Sequence, residues 1–563
     1  MTKKLQRIAA LALSLVLAVS MLAGCGSEST STASSTEAAG SAAPAQTTAA
    51  DEWKSIVIAN SDTVVALDPT LAEDSFSCIV VGNTIEGLYS VTPEGEVELA
   101  MASAVDISED SLTWTFTIRD DAYWSNGTPV TADDFVFGIH RIADPAANTG
   151  FAFEVEAAHI KNATAVLAGE MGLDELGVYA VDDKTLVIEL ESPCAYLDAL
   201  LSFSAFAPTN RAFFEEKGDE FGLTPDDLLY NGPYVVTSFD TGSNVVVITK
   251  NPDYYNAENV DIDEITFQVI GDTQQAVMAF ENGDVDVITL TGDAVAQKQD
   301  DPAFQSGLGM FNWYLSFNTT ETGVPNENLR KAIAYAIDRV TLCNNILHDG
   351  SIPSNCMVQR GFCFSPIDGS DFVDDCGTDR YAYDLEQAKH YWELAQQETD
   401  MRSFTLIYEE DNAMIASVAP YVQSAIESAL EGFTVELQIM PKKSRIENMG
   451  NLDYQAALHR WGPDYADPTA IMAMYTTGHA SNYIGATVPG YDELYNKANY
   501  DLAGDLNARW ETLVEAQNVL LDSCSMIPLF QVGSCHLVNP ELKNCVEHFT
   551  SIPYRYKYMT LGE

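Results

Sequence analysis

A chain this short of cations has little freedom in where it puts its carboxylates. Asp and Glu number 83 against 28 Lys and Arg, a formal net charge of −55. A carboxylate taken out of water is costly unless a cation or directed hydrogen bonds replace its hydration. Most of these groups must therefore stay at the surface, where they aid solubility, repel nucleic acid and anionic headgroups, and concentrate cationic ligands. The stretch RWGPDYADP, Arg460 to Pro468, goes against that rule. Pro463 and Pro468 forbid a long helix, so Asp464 is expected on a loop or strand end with a stiff backbone. Trp461 and Tyr465 would partly desolvate it, and its cation is either neighbouring Arg460 or one that arrives from outside.

The N-terminus sets the compartment. Lys3, Lys4 and Arg7 precede an apolar run from Ile8 to Leu22, and LAGC ends at Cys25. This is the pattern of an export signal, 1–24, and LAGC resembles a bacterial lipobox, which implies cleavage after Gly24 and lipidation of Cys25. An uncleaved membrane anchor is the competing reading, although the run falls short of the roughly 20 residues a span prefers. Residues 25–50 carry no large apolar side chain and read as a flexible tether, reaching on the order of 25 to 30 Å as a coil. The expected location is extracytoplasmic, held to the membrane by lipid.

Beyond Cys25 the chain has an odd nine cysteines: Cys78, Cys194, Cys343, Cys356, Cys363, Cys376, Cys524, Cys535 and Cys545. Their spacings lack the paired CxxC of common zinc sites, so no metal is expected. Export favours a disulfide, with Cys363 and Cys376 as the candidate pair, while an anaerobic habitat would leave every thiol reduced.

Folding signals begin near Asp51, where WKSIVIAN reads as a first strand. The remaining stretch is too long for one core, and its strand and helix signals alternate without a short repeat, as in α/β lobes. In LTWTFTIRDDAYWSNGTPV, Trp114, Phe116 and Ile118 alternate with threonines 113, 115 and 117, a half-buried strand that runs on to a turn at Asn126-Gly127. TADDFVFGIHR opens a helix with Thr131 as N-cap and Asp134 at the third position. A strand ends in VITKNPDYYN with a turn at Asn251-Pro252. ENLRKAIAYAIDR places Leu329, Ile333, Ala336 and Ile337 on one helical stripe, and YDLEQAKHYWELA starts a helix with Asp384 and Gln387 as a capping pair.

Taken in order, these segments together with LYNGPYVVTSFD and RWGPDYADP resemble the extracellular solute-binding protein family 5, the oligopeptide and dipeptide receptors of bacterial ABC importers. WSNGTPVTADDF is the most specific block. The resemblance implies an α/β, two-lobed periplasmic-binding-protein-like clamp of type II, cluster C, with three domains and a hinge. Domain I would take 51–84, 205–310 and 530–563, domain II 85–204 and domain III 311–529. It also implies short peptides as ligands, an ABC permease and ATPase complex as partner, a monomer, and no cofactor.

By the same resemblance Asp464 holds the peptide's α-ammonium, and Trp461 walls the first side-chain pocket. Glu73, Asp74 and Ser75 fall where the family pairs main chain with the peptide as an added strand. Phe151 or Phe153 falls near a family aromatic, and Trp313 and Tyr314 lie in an aromatic strand entering domain III, where core packing is the alternative to ligand contact. Leu458 stands where some relatives carry an arginine for the peptide carboxylate, and Gly462 where some carry a cysteine.

Other function classes find less support. The sequence holds no HExxH, no GxSxG and no phosphate-cradling glycine loop, so an enzyme is not expected. Within the same fold a non-peptide ligand, such as an oligosaccharide, a metal chelate, haem or glutathione, is the alternative. A sugar or an anionic chelate would have no ammonium to offer Asp464.

Overall fold

The computed structural model describes residues 53–239, 244–377, 380–410, 412–479, 481–549 and 552–562. The export signal, the tether and Cys25 lie outside the described residues. The first strand, β1 (Ser55–Asn60), forms where WKSIVIAN places it. Helix α1 (Ser75–Thr84) starts at Asp74, whose carboxylate accepts the Ser77 N–H at 2.9 Å.

A small antiparallel sheet follows, in the order β2 (Ala102–Ile107), β3 (Thr113–Ile118), β5 (Thr185–Glu189), β4 (Val178–Asp182). Trp114, Phe116 and Ile118 point from β3 into the core, as the alternation requires. Helix α2 (Ala132–Ala143) caps itself from both sides, with the Thr131 N–H donating to Asp134 at 2.8 Å. The buried Asp134 also accepts the Trp124 indole N–H at 3.1 Å, which ties the cap to the turn before it. Short helix α3 (Ala152–Ala157) packs beside α2.

The large sheet is eleven-stranded and mixed. Its strands, in chain order after β1, are β6 (Tyr234–Ser238), β7 (Val245–Lys250), β8 (Glu264–Val269), β9 (Val287–Leu290) and β10 (Phe304–Phe317), then β11 (Ser403–Glu409), β12 (Thr434–Met440), β13 (Ala456–Trp461) and β14 (Met526–Val538). They lie side by side as β12-β11-β13-β10-β14-β9-β1-β8-β7-β6, with Ile352–Pro353 pairing on β14. The long strands β10 and β14 run antiparallel through the middle. Their pairing slips between Leu308 and Asn312 and again between Trp313 and Tyr314. The slips divide two hydrophobic cores: Ile288, Leu290 and Leu537 fill one, and Trp313, Leu315 and Phe317 belong to the other. A sheet that continues across two cores while its pairing is irregular at the boundary is the mechanical basis of a two-lobed clamp.

Helices α4 (Glu327–Ala336) and α5 (Leu385–Glu398) cover the second core. Leu329, Ile333 and Ala336 are buried as the helical stripe implies, and Asp384 caps α5 through the Glu386 and Gln387 N–H groups. Helix α6 (Lys442–Gly450) leads into β13, and α7 (Leu506–Asp522) precedes β14. Among the described residues no helix is long and apolar enough to cross a membrane.

The expected Cys363–Cys376 disulfide is corrected. All nine described cysteines are unpaired thiols. The Cys376 sulfur accepts the Gln517 Nε2 proton at 2.5 Å, while Cys356 donates to the same side chain's Oε1 at 3.1 Å. The sulfur facing Cys376 across that amide therefore belongs to Cys356, and burial pushes the Cys363 thiol well above its ordinary range. Sequence spacing could not show that Cys356, through Gln517, is the thiol brought beside Cys376. Alkylation of the unfolded protein without reductant should label all nine of these thiols, and a mass increase limited to seven adducts would contradict this.

Candidate ligand-binding site

Strand β13 delivers the site. Ala456, Ala457 and Leu458 have no exposed surface, and His459 is buried with Nε2 2.8 Å from the Ser316 hydroxyl. Burial, helped by the charge of Arg445, pushes His459 down to about 3, so it stays neutral near pH 7. Beyond Trp461 the chain is closely packed, since a Cβ at Gly462 would meet Met310 and Phe311 side-chain atoms at 2.9 Å and would have to displace them. The Gln359 amide holds the strand end from behind, donating to the carbonyls of Met310 at 2.8 Å and Trp461 at 3.1 Å.

The loop that follows is fixed on its far side as well. Tyr465 stacks on Tyr196 with ring centroids 4.7 Å apart. Asp467 forms a bidentate pair with Arg509 at 2.7 and 2.8 Å and accepts the Thr469 N–H at 2.9 Å. Asp464 is half-buried between these two anchorages. Arg460, the neighbouring cation, lays its guanidinium over Phe311 at 4.4 Å and Trp313 at 5.7 Å. The charged groups it senses are Glu409, Arg445 and Asp62, and burial lowers its pKa. Arg445 in turn is paired with buried Glu409 at 3.1 Å.

Two cavities open here, one of about 580 Å³ and one of about 200 Å³. Trp461 and Asp464 line both of them and form the wall they share. The larger is also bordered by Glu73, Asp74, Ser75 and Arg460, and the smaller by Phe153, His159, Tyr196 and His479. Together they have the volume, the mixed aromatic and polar lining and the concavity of a small-molecule site.

The residues singled out in the sequence thus separate into two sets. Asp464, Trp461, Glu73, Asp74, Ser75 and Phe153 meet at the cavities. The Glu73 carboxylate accepts the Gly150 N–H, joining the α1 approach to the segment before α3. Phe153 stands edge-on to His479 with centroids 6.4 Å apart. Phe151 instead packs against Phe203 at 5.0 Å in the core. Trp313 and Tyr314 have no exposed surface, Trp313 stacking on Phe530 at 6.2 Å and Tyr314 donating to the Met357 carbonyl at 2.6 Å. They support the wall from behind and do not line the two cavities.

Sequence reasoning missed Glu154, a fully buried carboxyl that faces Asp464. As one acidic residue among 83 it carried no distinguishing signal. Among the described residues no group of three or more His, Cys, Asp or Glu side chains is placed to hold a metal ion.

The sequence model of the bacterial extracellular solute-binding proteins, family 5 Middle, matches residues 96–483. The dipeptide-binding protein of Lactococcus lactis subsp. cremoris (strain MG1363) is 28% identical over 522 residues, covering 90% of this chain and 94% of its own. The oligopeptide-binding protein OppA of Bacillus subtilis (strain 168) is 29% identical over 494 residues, 85% of this chain and 88% of its own. Among solved structures, Listeria monocytogenes OppA bound to peptide superposes with a TM-score of 0.78 at 30% identity, covering 91% of this chain and 99% of that one. The pheromone receptor PrgZ does so with 0.79 at 30% identity, covering 91% and 100%. The chain belongs to the bacterial extracellular solute-binding proteins of family 5, two-lobed α/β clamps that bind and do not catalyse.

Proposed function

We propose that the protein captures short peptides outside the cytoplasm and delivers them to an ABC permease, with the peptide's N-terminal ammonium on Asp464. The observation that carries this reading is the position of Asp464. It sits half-buried in the wall common to both cavities, on a loop braced at each end. An ammonium there supplies the charge and the directed N–H donors that a carboxylate loses on leaving water. Similarity to peptide-binding relatives supports the ligand class.

The rest of the peptide would extend into the larger cavity past Glu73, Asp74 and Ser75, its side chains in hydrated space. Trp461 would wall the first pocket and Phe153 would border the smaller cavity. Ligand between the lobes favours closure by the difference in its affinity for closed and open states. The closed monomer, tethered through a lipid on Cys25, then docks on the permease. Domain I is assigned 51–84, 205–310 and 530–563, domain II 85–204 and domain III 311–529, so the slipped pairing of β10 and β14 falls near the junction of I and III.

Two measurements test this. In calorimetry with trialanine, Asp464→Ala should lower affinity at least tenfold, while N-acetyl-trialanine should bind both proteins equally weakly. Equal trialanine affinity for the two proteins would remove the anchor. In membrane fractionation of cells making Cys25→Ser, the protein should leave the membrane pellet, and its retention there would refute the lipid tether.

A further inference from the structure

Glu154 lies in α3 with no exposed surface, and neither of its carboxyl oxygens meets a hydrogen-bond donor among the described residues. Its charged neighbour is Asp464, with Tyr465 alongside. From α1, Cys78 senses both Asp74 and Asp464, Asp74 lines the larger cavity with Asp464, and from α3 itself Glu156 acts on His479 and Tyr500. Every one of these groups is acidic or neutral near pH 7, His479 being held below its ordinary range by burial. The cation nearby in sequence, Arg460, lays its guanidinium over Phe311 and Trp313 and senses the charges of Glu409 and Asp62. Two carboxyl groups in contact, one of them fully enclosed, require a proton between them.

We propose that Glu154 is a neutral carboxylic acid whose hydroxyl donates to Asp464, a positioning residue that aims the anchor carboxylate into the cavities and keeps it ionised. The inference rests on Asp464 being the ammonium anchor. A protonated carboxyl has one O–H to give, and an ionised Asp464 only accepts, so one bond satisfies the Glu154 hydroxyl and one oxygen of Asp464. The pair then carries a single negative charge, the complement of a single ammonium. Burial raises the Glu154 carboxyl well above the ordinary carboxylate range, and the adjacent Asp464 charge acts in the same direction.

A folded-state proton held more tightly than in the unfolded chain stabilises the fold at low pH. That stability is lost as pH rises from the unfolded glutamate value near 4.3 toward the raised folded one. Glu154→Gln keeps an N–H donor and cannot ionise, whereas Glu154→Leu keeps the volume and loses the donor.

The experiment combines trialanine calorimetry on wild type, Glu154→Gln, Glu154→Leu, Asp464→Ala and the double variant with ligand-free thermal midpoints between pH 4 and 9. Glu154→Gln should bind within about threefold of wild type and Glu154→Leu about tenfold more weakly, the size of one hydrogen bond. The Leu effect should vanish when Asp464 is already alanine, which a merely structural role would not produce. The midpoint of wild type should fall relative to Glu154→Gln as pH rises, a readout that survives if the leucine variant does not fold. A flat midpoint difference, or equal losses for Gln and Leu, overturns the proposal. Loss with Asp464→Ala but wild-type binding by Glu154→Leu overturns it alone, whereas undiminished binding by Asp464→Ala overturns the anchor beneath it.

Discussion

The scarcity of internal cations governs this structure. Four of the carboxylates the fold buries each hold one of its few basic residues, whereas Asp134 is met by neutral donors. Asp467 holds Arg509, Glu409 holds Arg445, Asp68 holds Arg141 and Glu86 holds Lys557, each between side chains with little exposed surface. Such pairs add little net stability, yet removing one partner would strand the other. Arg339 and Arg555 are buried too, and they satisfy backbone carbonyls at Pro528, Gly82 and Ser202. The carboxyl pair at the cleft follows a different rule, since Glu154 and Asp464 meet each other and, among the described residues, no basic group acts on Glu154.

That difference connects local structure to binding. The loop from Trp461 to Thr469 is made stiff by two prolines, by a glycine closed in by Met310 and Phe311, by the Gln359 amide and by the Asp467–Arg509 pair. A stiff loop holds its carboxylate in place before ligand arrives, so little ordering cost remains to be met on binding. The aromatic strand behind it, with Trp313 and Tyr314 fully enclosed, is the rigid backing that such a site needs. The surface acidity acts at longer range, raising the local concentration of any ligand with a net positive end.

Much of this was legible in the sequence because it is local. The alternation in β3, the reciprocal cap at Thr131 and Asp134, the stripe on α4 and the proline-bounded loop at Asp464 each depend on residues a few positions apart. What was illegible depends on contacts between distant segments. Periodicity cannot separate Phe153 at a cavity from Phe151 in the core, since both are apolar residues on one short turn of helix. The aromatic run at 313–314 reads the same whether it faces a ligand or another sheet layer. Glu154 becomes notable only when α3 is brought against the loop that follows β13, and Cys356 rather than Cys363 stands beside Cys376 because Gln517 from α7 bonds to both Cys356 and Cys376.

The central claim is that an external ammonium completes the charge of the Asp464 carboxylate. A crystal structure of the protein grown with trialanine tests it most directly. The account predicts the peptide's terminal nitrogen about 2.8 Å from a carboxylate oxygen of Asp464, with the Glu154 carboxyl on that group's other side. A bound peptide whose amine faces solvent or another residue, with Asp464 turned away from it, would contradict the account.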